Sequence, residues 1–196
     1  MAISLSKNAT ISLTKENKIS KCMVGLGWDQ AEATGIKRLF GKPASIDCDA
    51  AAELVYEDGK TELIFFGNRE SDTGCVKHMG DNLTGEGEGD DEQIYMDLDK
   101  MPTKVKKIYI GVNIFNADSR NQSFGTIKNC FIRLVNNSND TEVCRYDISG
   151  NPEYSKYVSM VMGVLVRGSN GGFEFTALGE PSTAKSCQTM FNDYKN

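Results

Sequence analysis

Apolar residues in this chain recur at every second position, in short runs separated by turn-forming residues, and that period is the period of a β-strand. Cys22, Val24, Leu26 and Trp28 share one strand face. Ile46, Cys48 and Ala50 share another, with Asp47 and Asp49 together on the opposite side. Glu57-Asp58-Gly59-Lys60 reads as a hairpin turn leading into Leu63–Phe66. Ile94, Met96 and Leu98 alternate next, followed by strands over Ile108–Ile114, Cys130–Val135 and Val143–Ile148. The last two are joined by the turn-rich Asn136–Asp140, and Gly168–Gly172 separates Val158–Val166 from Phe173–Ala177. Only the end is helical in pattern, with Ala184, Cys187 and Phe191 on one stripe. At 196 residues the chain is long enough to bury a core without staples. We therefore expect an all-β fold, one antiparallel β-sandwich of two sheets spanning residues 1–196, with a short C-terminal helix.

Charge is distributed less evenly than the apolar pattern. The chain has 22 Lys and Arg against 27 Asp and Glu, a formal net charge of −5. The segment from Asp81 to Glu92, DNLTGEGEGDDE, holds six of those acids (Asp81, Glu86, Glu88, Asp90, Asp91, Glu92) and no base. Outside it, 21 acids face 22 bases, so the negative excess belongs to this one segment. Such a run usually reads as a solvated acidic tract. Here it is interior, bounded by the strand-like stretches Cys75–Met79 and Ile94–Leu98, and its glycines alternate with acids. Without a counter-ion, six carboxylates in so small a volume repel one another.

That composition suits a hard cation. Ca²⁺ takes about six to eight oxygens at roughly 2.3–2.6 Å from carboxylates, amides, backbone carbonyls and water. Gly85, Gly87 and Gly89 let the backbone bend and turn carbonyls inward. A phosphate-cradling loop fits poorly, because Glu86 and Glu88 repel phosphate and no P-loop Lys follows. An EF-hand fits at its ends, Asp81 and Glu92, but Leu83 and Glu86 occupy its third and sixth positions. Asp47 and Asp49 read by pattern alone as an exposed strand face. The small Ala50-Ala51-Ala52 that follows implies that something packs closely there, and an acidic loop held by a cation is one such neighbour.

Several function classes fall away. There is no basic excess to neutralise phosphates, which argues against nucleic-acid binding. No run of about 18 apolar residues is present, so no membrane span is expected. Met1–Lys15 alternates and lacks the apolar core of a signal peptide, and the six cysteines form no CxxC pair. Buried thiols in a reducing cytosol are the expectation. The single histidine, His78, removes every site that needs two imidazoles and reads as a surface residue beside the acidic segment.

The segment Gly80–Glu92, GDNLTGEGEGDDE, resembles the signature of the TerD family of tellurite-resistance and chemical-stress proteins. The likeness continues through VGLGWD (Val24–Asp29), the D-x-D-A strand (Asp47–Ala50), Phe124-Gly125, NCFIRL (Asn129–Leu134), RYDIS (Arg145–Ser149) and Asp193-Tyr194. It departs where the family has Phe-Asp-Leu-Asp and this chain has Ile46-Asp47-Cys48-Asp49. It departs again where an Asn pair is replaced by Gly67-Asn68, which leaves Asn68 as the candidate. The resemblance implies a calcium-binding β-sandwich that is not an enzyme, with two Ca²⁺ per chain. It implies ligands from Asp47, Asp49, Asn68, Asp81, Asn82, Thr84, Glu86, Glu88, Asp90, Asp91 and Glu92, with carbonyls from glycines such as Gly85 and Gly87. Asp29 is a weaker candidate that also suits a turn cap.

The expected function is a calcium-stabilised cytoplasmic module that works by assembly with other stress-response proteins, including complexes peripheral to the inner face of the membrane. One alternative is a metal-dependent or tellurite-modifying enzyme built on Cys75 and His78. Three residues apart on a strand, these two face opposite sides. Another is calcium-dependent binding to anionic lipid, for which Leu83 is the single apolar residue inside Asp81–Glu92.

Overall fold

The computed structural model describes residues 7–14, 17–29, 45–85 and 89–194. Within them the chain runs β1 (Thr10–Ser12), β2 (Lys21–Asp29), β3 (Cys48–Tyr56), β4 (Thr61–Ile64), β5 (Val76–His78), β6 (Glu92–Asp97) and β7 (Val105–Ile114). A short helix α1 (Ala117–Arg120) and a 3-10 turn at Phe124–Thr126 precede β8 (Lys128–Asn136), β9 (Thr141–Asp147), β10 (Ser159–Arg167) and β11 (Phe173–Ser182). A second helix α2 (Cys187–Met190) and a 3-10 turn at Asn192–Tyr194 complete it.

The strands form two sheets, ordered β1-β11-β10-β7-β3-β4 and β5-β6-β2-β8-β9. Every pairing between named strands is antiparallel. Period-two alternation thus produces the two-sheet sandwich that the sequence implies. Leu26, Trp28, Ile94 and Ile132 of the five-stranded sheet share one buried cluster with Ala50, Leu54, Ile110 and Leu165 of the six-stranded sheet. All six cysteines are buried and unbridged.

Local chemistry places the turns. Gly59 sits at φ 81° between β3 and β4, a conformation closed to most side chains, and the Asp58 carboxylate accepts the Lys60 N–H at 3.1 Å. The apolar run Leu63–Phe66 ends sooner than its composition implies. Phe65 and Asn68 exchange both backbone hydrogen bonds at 3.0 Å, so the chain reverses at Phe66-Gly67.

Two coverings on the outer sheet faces matter for function. The C-terminal α2 lays Cys187 and Met190, with Phe191 just beyond it, over Ala51, Tyr109 and Val161 of the six-stranded sheet. On the five-stranded sheet, a Cβ at Gly25 would lie 2.4 Å from the Asp90 carboxylate, and one at Gly27 would lie 2.4 Å from the Gly89 carbonyl. These glycines therefore leave the outer face of β2 bare for Gly89 and Asp90 to lie upon.

Candidate metal centre

The centre lies where the two sheets approach each other at the start of β3. β7 pairs with β3 along its whole length, whereas β4 pairs only from Ala52 onward. Among the described residues the other edge of Cys48–Ala51 therefore has no strand partner, and a side chain reaches it. Ala50 N–H donates to Glu92 Oε2 at 2.8 Å. Glu92 is the first residue of β6, so one buried carboxylate ties the two sheets together.

Glu92 also meets His78. Nε2 of the imidazole lies 3.3 Å from Glu92 Oε2, and both side chains are fully enclosed. His78 Nδ1 accepts the Gly80 N–H at 3.3 Å, which places the ring proton on Nε2, facing the carboxylate. The reading of His78 as a surface residue is thus overturned. The reversal at Phe66-Gly67 brings Arg69 beside His78, whose N–H donates to the Arg69 carbonyl at 2.7 Å, and the imidazole turns into the sandwich.

Asn82 and Asp91 organise the segment between. The Asn82 side-chain oxygen accepts from Thr84 N–H (3.1 Å), Thr84 Oγ1 (3.3 Å) and Gly85 N–H (3.0 Å), while its amide donates to Asp91 Oδ1 at 2.9 Å. The other Asp91 oxygen accepts the Trp28 N–H at 2.9 Å. Burial raises the Asp91 carboxyl above its ordinary range, and the Trp28 N–H works in the opposite direction. Gly85, at φ +59°, rests against the indole, where a Cβ would be 2.5 Å from Nε1. The indole N–H in turn donates to the Ile46 carbonyl at 2.9 Å, immediately before Asp47.

Asp47, Asp49 and Asp81 converge, each with a carboxylate oxygen within 4.8 Å of the others. Asp49 is 2% exposed and Asp47 6%, so the strand face bearing them is buried, not solvated. Asp47 Oδ1 and Asp49 Oδ2 are shielded from solvent and have no hydrogen-bond partner among the described residues. Burial first, then the charges of Glu92, Asp47 and Asp81, push the Asp49 carboxyl up to about 9. Burial and Asp81 raise Asp47 to about 6, with the Arg120 guanidinium pulling the other way. Orphaned oxygens on crowded buried acids fit a hard divalent cation, which satisfies lone pairs and repulsion together.

The remaining sequence candidates divide. Glu92 and Asn82 adjoin the cluster, the Asn82 N–H donating to Glu92 Oε1 at 3.3 Å, and Thr84, Gly85 and Asp91 are tied to Asn82 by the bonds above. Asp90 is instead engaged by Arg133, through Nε to Oδ1 at 2.8 Å and Nη2 to Oδ2 at 2.9 Å. Asn68 donates to the Leu63 carbonyl at 2.9 Å and lines a separate groove with Tyr56, Glu62 and Asp72. Glu86, Gly87 and Glu88 lie outside the described residues. Asp29 Oδ2 accepts from Asn129 Nδ2 at 2.6 Å and ties β2 to β8. Cys75 and His78 have separate partners, since the Cys75 thiol contacts the Lys100 carbonyl at 3.1 Å. Sequence reasoning missed Arg133 and the two bare glycines of β2. An Arg inside the apolar NCFIRL strand and Gly at alternate positions of VGLGWD were the available signals.

In the metal-free protein the raised Asp49 pKa has a definite consequence for stability. Its folded value lies above the unfolded value of about 3.9, so the folded form keeps a proton that the unfolded chain has released. Stability is therefore present at low pH and declines as pH rises from about 4 to about 9. Besides Glu92, Asp47 and Asp81, Asp49 has the Cys187 thiol of α2 within electrostatic reach. Thermal melts in chelator from about pH 6 to about pH 9 are expected to show a falling midpoint, and Asp49→Asn should flatten the slope.

A two-sheet antiparallel sandwich that gathers carboxylates from the start of β3, the residue before it and a glycine-rich acidic segment defines an acidic-loop β-sandwich protein. The TerD domain model matches residues 1–194. The chain is 43% identical to the stress response protein SCP2 of Bacillus subtilis (strain 168), over 99% of this chain and 100% of that protein. It is 42% identical to the tellurium resistance protein TerD of Serratia marcescens, over 92% of this chain and 91% of that protein. In fold it is similar to a homologue of telluride resistance protein (TerD) from Streptomyces coelicolor A3(2), with a TM-score of 0.71 at 17% identity, covering 88% of this chain and 95% of that chain. The chain belongs to the TerD family. No helix among the described residues is long and apolar enough to cross a membrane.

Proposed function

We propose that this protein is a calcium-binding, non-enzymatic module of the tellurite-resistance and chemical-stress response, acting in the cytoplasm through assembly with other proteins. The observation that carries the cation reading is the pair of buried oxygens on Asp47 and Asp49 that have no partner among the described residues, on acids whose carboxylates gather with that of Asp81. Ca²⁺ suits this set better than Mg²⁺, because irregular carboxylate and carbonyl geometry is tolerated by the larger ion. The cluster would hold one ion. A second, which the family resemblance implies, would draw on Glu86 and Glu88. The stress role rests on the names of the relatives at about 40% identity.

Assembly is favoured by one surface feature. Met79 and Leu83 stand 60% and 56% exposed on either side of Gly80 and Asp81. They give the mouth of the site two apolar contacts for a partner protein or a complex at the inner membrane face. Sedimentation with anionic liposomes only when Ca²⁺ is present would favour the lipid alternative instead.

Terbium offers a direct test of the site, since the sole tryptophan, Trp28, reaches the residue preceding Asp47. Excitation of Trp28 is expected to sensitise Tb³⁺ emission that Ca²⁺ displaces far better than Mg²⁺. Asp49→Asn should lose the signal. Undiminished emission in that variant would contradict the assignment.

A further inference from the structure

We propose that Asp90 is an anchor and not a cation ligand, and that Arg133 is the positioning residue that pins the chain at Asp90 to the sheet. The inference rests on the cation reading only for its calcium measurement.

The acidic segment contains no base of its own, but the fold supplies one. Arg133, from the NCFIRL strand β8, grips both oxygens of Asp90 at 2.8 and 2.9 Å. This two-pronged, charge-assisted geometry is among the strongest side-chain pairings. The Asp90 side chain is 3% exposed, so the pair is sealed from water on the carboxylate side. A cation seeking Asp90 would have to displace the guanidinium or sit beside a second positive charge.

Three further features show that this pairing is built in. Gly25 is the cross-strand neighbour of both Arg133 and Gln93, and its missing Cβ leaves the seat that the Asp90 carboxylate occupies. Glu142 orients the guanidinium from the far side at 3.5 Å and is itself 3.8 Å from Arg145. Arg145 packs over the Phe131 ring at 3.8 Å and pairs with Asp147 at 2.8 Å. Asp90 thus ends a row of alternating charges running across the outer face of the five-stranded sheet. The Asp47, Asp49 and Asp81 cluster gathers instead at the start of β3. Neighbours, not spacing, divide the acids between the two roles.

The test is a double-mutant cycle of Asp90→Asn, Arg133→Gln and their combination, with Arg133→Lys as the conservative variant. Melting in chelator should show each single change lowering the midpoint and the double variant no worse than the poorer single. Arg133→Lys, which keeps the charge but not the fork, should fall between wild type and Arg133→Gln. Amide exchange should quicken at residues 84, 85 and 89–92 and leave β7 and β10 protected. Calcium stoichiometry should be equal in all the variants, with affinity weakened by about 10-fold. Additive effects in chelator, or exchange quickened uniformly, would overturn the anchor. Loss of a calcium equivalent in Asp90→Asn but not in Arg133→Gln would make Asp90 a ligand and overturn the proposal as well. If wild type binds no calcium, the cation reading fails while the chelator cycle still decides the anchor.

Discussion

Saturating Ca²⁺ is expected to raise the melting temperature of chelated protein by about 5–10 °C. A ligand at 100 times its dissociation constant adds about 2.7 kcal/mol, and a chain of this size gains about 2–4 °C per kcal/mol. The physical source is specific. In the metal-free protein Asp49 is buried among Asp47, Asp81 and Glu92, and folding must either protonate it or bear the repulsion. A divalent ion removes both costs. Asp49→Asn should therefore reverse the pattern, leaving the chelated protein as stable as wild type or more so near pH 8 and removing this site's share of the calcium shift. Differential scanning calorimetry of the two proteins, each with calcium and with EDTA, checks both halves.

Trp28→Ala should be the most damaging single substitution at the centre, costing about 3–5 kcal/mol as a buried aromatic truncation. Trp28 is 2% exposed and joins three segments. Its indole N–H holds the Ile46 carbonyl, its backbone N–H holds Asp91, and its indole edge lies against Gly85 at positive φ. Removing the ring takes away the bond to the Ile46 carbonyl and the support of Gly85, while the residue-28 N–H still holds Asp91, so calcium affinity should fall with stability. Trp28→Phe keeps most of the packing and loses only the bond to Ile46, with an expected cost of about 1–3 kcal/mol from the orphaned carbonyl. Denaturant unfolding with and without calcium measures both variants. Equal losses in the two variants would show that the indole hydrogen bond, not the ring, holds the segment.

The sandwich was legible because period-two alternation reports a face buried between sheets, and most strands here bury one such face. The acid pair at Asp47 and Asp49 was legible as two side chains on one face. Its burial was not, because the cover comes from far along the chain, with Asp81 on one side and Cys187 of α2 on another. The same distance hid His78, whose enclosure depends on Glu92 and on a hairpin reversal that its own neighbours do not announce. Asn68 was judged by family position, but that reversal turns its amide onto Leu63 and a different groove. Arg133 carried a visible signal, a charge in an apolar strand. Its partner could be found only once β2 and β8 were paired in register, with Gly25 directly beside it.

The central claim is that Asp47, Asp49 and Asp81 hold a calcium ion. Calorimetric titration of Ca²⁺ into chelated wild type, Asp49→Asn and Asp90→Asn tests it most directly. The expected result is saturable binding in wild type and in Asp90→Asn, with the Asp49→Asn variant losing one equivalent. Absence of saturable binding in wild type, or an unchanged isotherm in Asp49→Asn, would contradict it.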